Sequence, residues 1–132
     1  RSPLNHSLIS SETKKWWSMQ NNKARHEAFE HKDRIPLAQA LKELSEWFRG
    51  SKYIWSHGAT FDCVILEQAY HACDLPVPWM FYDVRDTRTL YDVTNVKLKD
   101  FPIKVEHHAL YDAYRQVQAV IESLKRINDL KT

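Results

Sequence analysis

Glycine is nearly absent: the chain has two glycines in 132 residues. A glycine-rich phosphate loop is therefore excluded, and no Walker or dinucleotide fingerprint occurs. Cysteine is just as scarce. Cys63 and Cys73 are ten positions apart on one predicted helix, roughly 15 Å at the rise of an α-helix. That is too far for a disulfide, and zinc-ligand spacing is missing as well. The sequence shows neither a long apolar run nor a signal-peptide pattern, so the expectation is a cytoplasmic protein with no membrane span. Charge of one sign is also lacking. The formal net charge is +2 and no basic run exists, which allows a nucleic-acid partner without arguing for one. Internal repeats and low-complexity tracts are absent.

What is present suits a folded domain. Apolar residues make up 43% of the chain and aromatic ones 12%, enough for a core. The 27% of charged residues argues against disorder at this apolar content. The length fits one domain over residues 1–132.

After an irregular start, Ser10-Ser11-Glu12-Thr13 reads as a helix beginning that runs through Trp16, Trp17 and Met19. Asn21-Asn22 breaks it before a short helix through Ala24, Ala28 and Phe29. Pro36 suits a first helical position. Leu37, Ala40, Leu41, Leu44 and Phe48 then recur at helical spacing until Gly50. Tyr53–Trp55 predicts a strand, and a helix follows over Thr60–Cys73. Met80-Phe81-Tyr82 predicts a second strand, and Asp83 to Asp86 leads into a helix through Thr89, Leu90 and Val93. Residues 95–105 read as irregular. The last helix carries Leu110, Ala113, Val117, Val120, Ile121 and Leu124 on one apolar face. Two strands do not make a stable sheet alone. Ile54 and Trp55 lack polar alternation, so their strand is expected to be central and covered on both faces. The sheet is therefore expected to need strands that these residues do not supply.

Two spacings carry chemistry. Asp62 falls in the first turn of a helix just past a strand's carboxyl end, where α/β sheets bind ligands. It reads either as a metal ligand or as a helix-start carboxylate favoured by the macrodipole. Asp112 starts the last helix, and His107 precedes it by five residues. If the two helix starts lie beside strand ends, the carboxylates can converge on Mg²⁺ or Mn²⁺. His107 then reads either as a base that deprotonates water or as a solvated histidine at a helix start. His-x4-Asp occurs twice, as His57/Asp62 and His107/Asp112, against about half a match expected by chance.

Whole segments agree with a known pattern. Trp55-Ser-His-Gly-Ala-Thr-Phe-Asp62-Cys-Val-Ile-Leu66, Val84-Arg85-Asp86-Thr87-Arg88-Thr89 and His107-His-Ala-Leu-Tyr-Asp112-Ala113 resemble the DEDDh 3′–5′ exonucleases. The nearest likeness is to the phage and prophage branch related to ribonuclease T and proofreading exonucleases. That branch also has an upstream helix like Glu12-Thr13-Lys-Lys-Trp16-Trp17, and the likeness spans residues 9–122.

The resemblance implies an RNase H-like α/β fold and two divalent cations, Mg²⁺ or Mn²⁺, held by four carboxylates. Asp62 and Asp112 match two of these, His107 matches the general base, and His108 matches the variable residue beside it. Asp86 matches a structural Arg-Asp helix start. His57 and Phe61 are the candidate substrate contacts; His57 departs from the family's frequent Asn. The Asp-x-Glu of the first strand is absent. Ser10-Ser11-Glu12-Thr13 imitates it superficially, but Trp16-Trp17 follows at once, as in the family's later helix. The chain therefore reads as the C-terminal part of an exonuclease domain that hydrolyses terminal phosphodiesters at a nucleic acid 3′ end, DNA or RNA, in a bacterial or phage-infected host cytoplasm. Homodimers are common among such enzymes. By itself, this stretch is expected to be inactive. The alternative is a catalytically degenerate module of the same fold that binds nucleic acid or protein.

Overall fold

A computed structural model describes residues 10–30 and 32–131. It is mixed α/β and mostly helical. The helices are α1 (Ser11–Ser18), α2 (Asn22–Phe29), α3 (Leu37–Phe48), α4 (Ala59–Ala72), α5 (Thr87–Thr94) and α6 (Ala109–Asp129). The strands are β1 (Ile54–Ser56) and β2 (Val84–Asp86), and single 3₁₀ turns cover Phe81–Asp83 and Leu98–Asp100. Local chemistry explains the first helix starts. Ser10 caps α1 by accepting from the Thr13 amide at 3.1 Å, and Asn21 caps α2 by accepting from Lys23 at 2.8 Å. The chain divides into two compact units, residues 33–87 and the described parts of 8–32 and 88–132.

In the first unit β1 and β2 pair in parallel, with Ile54 opposite Val84, Trp55 opposite Arg85 and Ser56 opposite Asp86. A parallel pair needs a crossover connection, and α4 provides it. Leu41, Phe48, Ala69, Tyr70 and Trp79 form the core, with Leu44, Ile54, Leu66 and Val84 packed against them. The buried Tyr70 phenol donates to the Leu41 carbonyl at 2.9 Å, and the Trp79 indole N–H donates to Glu67 at 3.0 Å. Both rings thus bury their area with the polar tip satisfied.

The second unit has a smaller core of Tyr91, Val96 and Ala119, joined by Leu98, Phe101 and Val120. Tyr91 donates to the Gln116 carbonyl at 3.0 Å. Asn95, at φ 52°, turns the chain into the left-handed region just after α5. The Arg126 guanidinium donates to the Thr94 and Asn95 carbonyls at 3.1 and 3.0 Å, satisfying carbonyls that a helix end leaves unpaired.

Two expectations are corrected. The second strand is Val84–Asp86, not Met80–Tyr82. Phe81 is 86% exposed and turns in a 3₁₀ helix, because the parallel register with β1, rather than the apolar run, selects the strand. The strand at Trp55 is not covered on both faces, for Trp55 is 37% exposed. Among the described residues β1 pairs only with β2, which leaves its other edge unpaired there. Along the apolar stripe of α6, Leu110, Val117, Ile121 and Leu124 are exposed and Val120 packs against the Tyr91 core, while the small Ala119 and Ser123 are fully buried. Small side chains permit the close approach by which Thr94 and Ser123 bring their hydroxyls to 3.0 Å.

Candidate active site

The first unit builds its candidate site at the carboxyl end of β1. The chain turns through Gly58 at φ 115° and ψ 67°, a conformation that costs glycine nothing and an L side chain a good deal. A glycine at the N-cap offers no capping oxygen. Asp86, at the end of the neighbouring strand, supplies one: its Oδ2 accepts from the Ala59 amide at 2.8 Å. Next to it, His57 Nδ1 lies 2.9 Å from Thr87 Oγ1. Ser56 Oγ donates to Asp62 Oδ2 at 2.7 Å. Three side-chain bonds therefore stitch the turn and the first helical residues into place. Asp62 is exposed, and Phe61 is exposed one residue before it. Cys63, directly after, is buried, and its thiol pKa is pushed up by burial first and then by the carboxylates of Glu67 and Asp62.

The second unit places the other candidates at the start of α6. His107 is a non-glycine residue at φ 60°, a sparsely populated backbone state that persists only where its surroundings fix it. Its exposed ring packs edge-on to Trp16 at 4.8 Å. His108 occupies the N-cap without capping the helix by its side chain. Its buried Nδ1 has no hydrogen-bond partner among the described residues. The His108 ring stacks at 4.6 Å on Tyr111, which Lys23 and Lys104 flank with their ammonium groups 5.6 and 5.8 Å from the ring centre. Asp112 is half-buried in the first turn of α6, its amide bonded to the His108 carbonyl at 2.9 Å. A cavity of about 430 Å³ opens beside His107, with Asn21, Lys104 and Glu106 in its lining. Glu12 lies in the first turn of α1, and no bond ties it to these groups.

Among the described residues no group of three or more His, Cys, Asp or Glu side chains forms a metal site. The donor chemistry still fits a hard cation. Mg²⁺ usually keeps several waters and takes only one or two carboxylates together with substrate phosphates. Asp62 meets that requirement with an exposed carboxylate oxygen on a fixed side chain. No described helix is long and apolar enough to cross a membrane.

The bracing residues Ser56 and Asp86, and the Trp16 contact to His107, have no signature in local spacing. Ser56 precedes its carboxylate by six residues and Asp86 lies 27 residues beyond its partner amide, so only the strand register brings the latter pair together.

One unit thus holds a parallel β-α-β arrangement with a braced carboxylate, Asp62, in the first turn of its helix, and the other holds a helix start bearing His107, His108 and Asp112. The chain belongs to the family of the Rv2179c-like 3′-5′ exoribonuclease domain, whose model matches residues 3–124. Neither the curated proteins nor the solved structures contain a match to it. Membership in a 3′–5′ exonuclease family places it among the nuclease hydrolases, with nucleic acid as the substrate class.

Proposed function

We infer that this domain is the carboxylate- and histidine-bearing part of a DEDDh-type 3′–5′ exonuclease of RNase H-like fold, acting on RNA ends. The braced Asp62 at the carboxyl end of a parallel strand pair, in a chain of an exoribonuclease domain family, carries this reading. Asp62 and Asp112 are its carboxylate ligands for Mg²⁺ or Mn²⁺. Such ions, when bound, neutralise phosphate charge and lower the pKa of water. His107 takes the proton from the water that attacks the terminal phosphorus. The bond from phosphorus to the penultimate O3′ breaks, and a nucleoside 5′-monophosphate leaves. His57 and Phe61 contact the terminal nucleotide. The other two carboxylates of a four-carboxylate site are not among these 132 residues in the expected Asp-x-Glu form. A cytoplasmic setting and a homodimer belong to the same reading.

The rival reading is a catalytically degenerate module of the same fold that binds nucleic acid or protein, and its support is that no Asp-x-Glu occurs in these 132 residues. Trimming of 5′-labelled RNA by the full-length protein in Mg²⁺ separates the two. Stepwise shortening that Asp62→Asn and Asp112→Asn each remove is the expected result. Shortening that both variants retain within about twofold overturns the assignment, and tight RNA binding by the parent without shortening supports the binding module.

A further inference from the structure

Ser56 closes β1 and is 7% exposed. Burying a hydroxyl costs free energy unless it is hydrogen-bonded. Here the hydroxyl donates to Asp62 Oδ2 over 2.7 Å, a length typical of a charge-assisted O–H···O⁻ bond. Such a bond does two things to a carboxylate: it locks the side-chain rotamer, and it commits one of the two oxygens. Oδ1 accepts no hydrogen bond from the described residues, and the side chain faces solvent. The donor is itself held. Ser56 is opposite Asp86 in the strand pair, and Asp86 fixes the Ala59 amide. The hydroxyl and the helix start that carries Asp62 therefore share one rigid frame.

We propose that Ser56 is a positioning residue that holds Asp62 Oδ2 and thereby presents Oδ1 as the single ligating oxygen to a divalent cation. This rests on the reading of Asp62 as a metal ligand. Without the hydroxyl the carboxylate rotates among rotamers, and a cation must pay to order it. Outer partners of ligating groups are typically worth about 10–100-fold in metal affinity.

The test uses Mn²⁺ alone, titrated into the full-length protein and followed by the electron paramagnetic resonance of the free ion. Ser56→Ala is expected to weaken Mn²⁺ binding about tenfold, Ser56→Thr to restore it, and Asp62→Asn to weaken it further. In the Asp62→Asn background, Ser56→Ala is expected to change nothing. This double-mutant cycle decides the matter even where the added methyl of threonine is not accommodated. Parent-like binding by Ser56→Ala beside weakened binding by Asp62→Asn overturns the role of Ser56 and leaves Asp62 as a ligand. An equal loss from Ser56→Ala in both backgrounds also overturns it. Parent-like binding by Asp62→Asn overturns the proposal together with the reading beneath it.

Discussion

His57/Asp62 and His107/Asp112 share one spacing, each pair at a helix start, yet the protein holds them differently. The first pair is braced by tertiary contacts: His57 by Thr87, Asp62 by Ser56, and the turn between them by Asp86. The second pair sits on a left-handed backbone at His107, beside a buried and unpaired His108 nitrogen. The helices behind them differ too. The apolar face of α3 is buried at Leu41 and Phe48, while that of α6 is exposed at Val117 and Ile121. Identical spacing thus says nothing about environment, and an amphipathic stripe shows which face needs cover without showing what covers it.

The largest expected effect separates the three histidines of the two helix starts. His107→Ala should lower the turnover of the full-length enzyme on the order of 10²–10⁴-fold, as for loss of a general base. His57→Ala should act mainly on KM, and His108→Ala should do little to either constant. Single-turnover RNA trimming measures this; a greater loss at His57 or His108 would assign the base to the wrong helix start or shift the register by one.

Urea unfolding compares the two helix faces. Leu41→Ala should cost about 2–5 kcal/mol, the usual penalty for a cavity in a packed core. Ile121→Ala should stay within about 0.5 kcal/mol, as for an exposed side chain. A cost of about 2 kcal/mol or more at Ile121 would mean that this face is covered in the working protein.

The helix starts themselves differ in what a deletion removes. Asp86→Ala takes away the cap of α4 and should cost about 1 kcal/mol. His108→Ala removes a buried, unpaired polar atom, and so should be neutral or slightly stabilising by thermal melting. A large loss at His108 would show that its ring packing against Tyr111 outweighs the unpaired nitrogen.

The smallest effect is chemical. The Cys63 thiol pKa is raised by burial and by nearby carboxylates, so at any pH below that pKa less thiolate is present than for an ordinary thiol. Native-state alkylation near pH 8 should therefore label the partly exposed Cys73 well before Cys63. Faster labelling of Cys63 would mean that the start of α4 opens readily.

Some features were legible in the residues alone. Ser10, Asn21 and the Leu41–Phe48 repeat act within a few positions of themselves, so caps and periodicity disclosed α1, α2 and α3. The strand, the turn on Gly58 and the placement of Asp62 at a helix start followed from equally local signals. The second strand was misplaced because Met80–Tyr82 has the apolar content of a strand, whereas pairing depends on a partner 30 residues away. The apolar stripe of α6 was legible as a pattern, but which of its sides packs depends on neighbours remote in sequence. The bracing of Asp62 and Ala59 belongs to the same class. A side chain's chemical type is a property of its residue, while the atom it faces is a property of the fold. The sequence by itself therefore determined which residues could do chemistry, and only the tertiary structure decided that Asp86 caps a helix and that Ser56 holds a carboxylate oxygen.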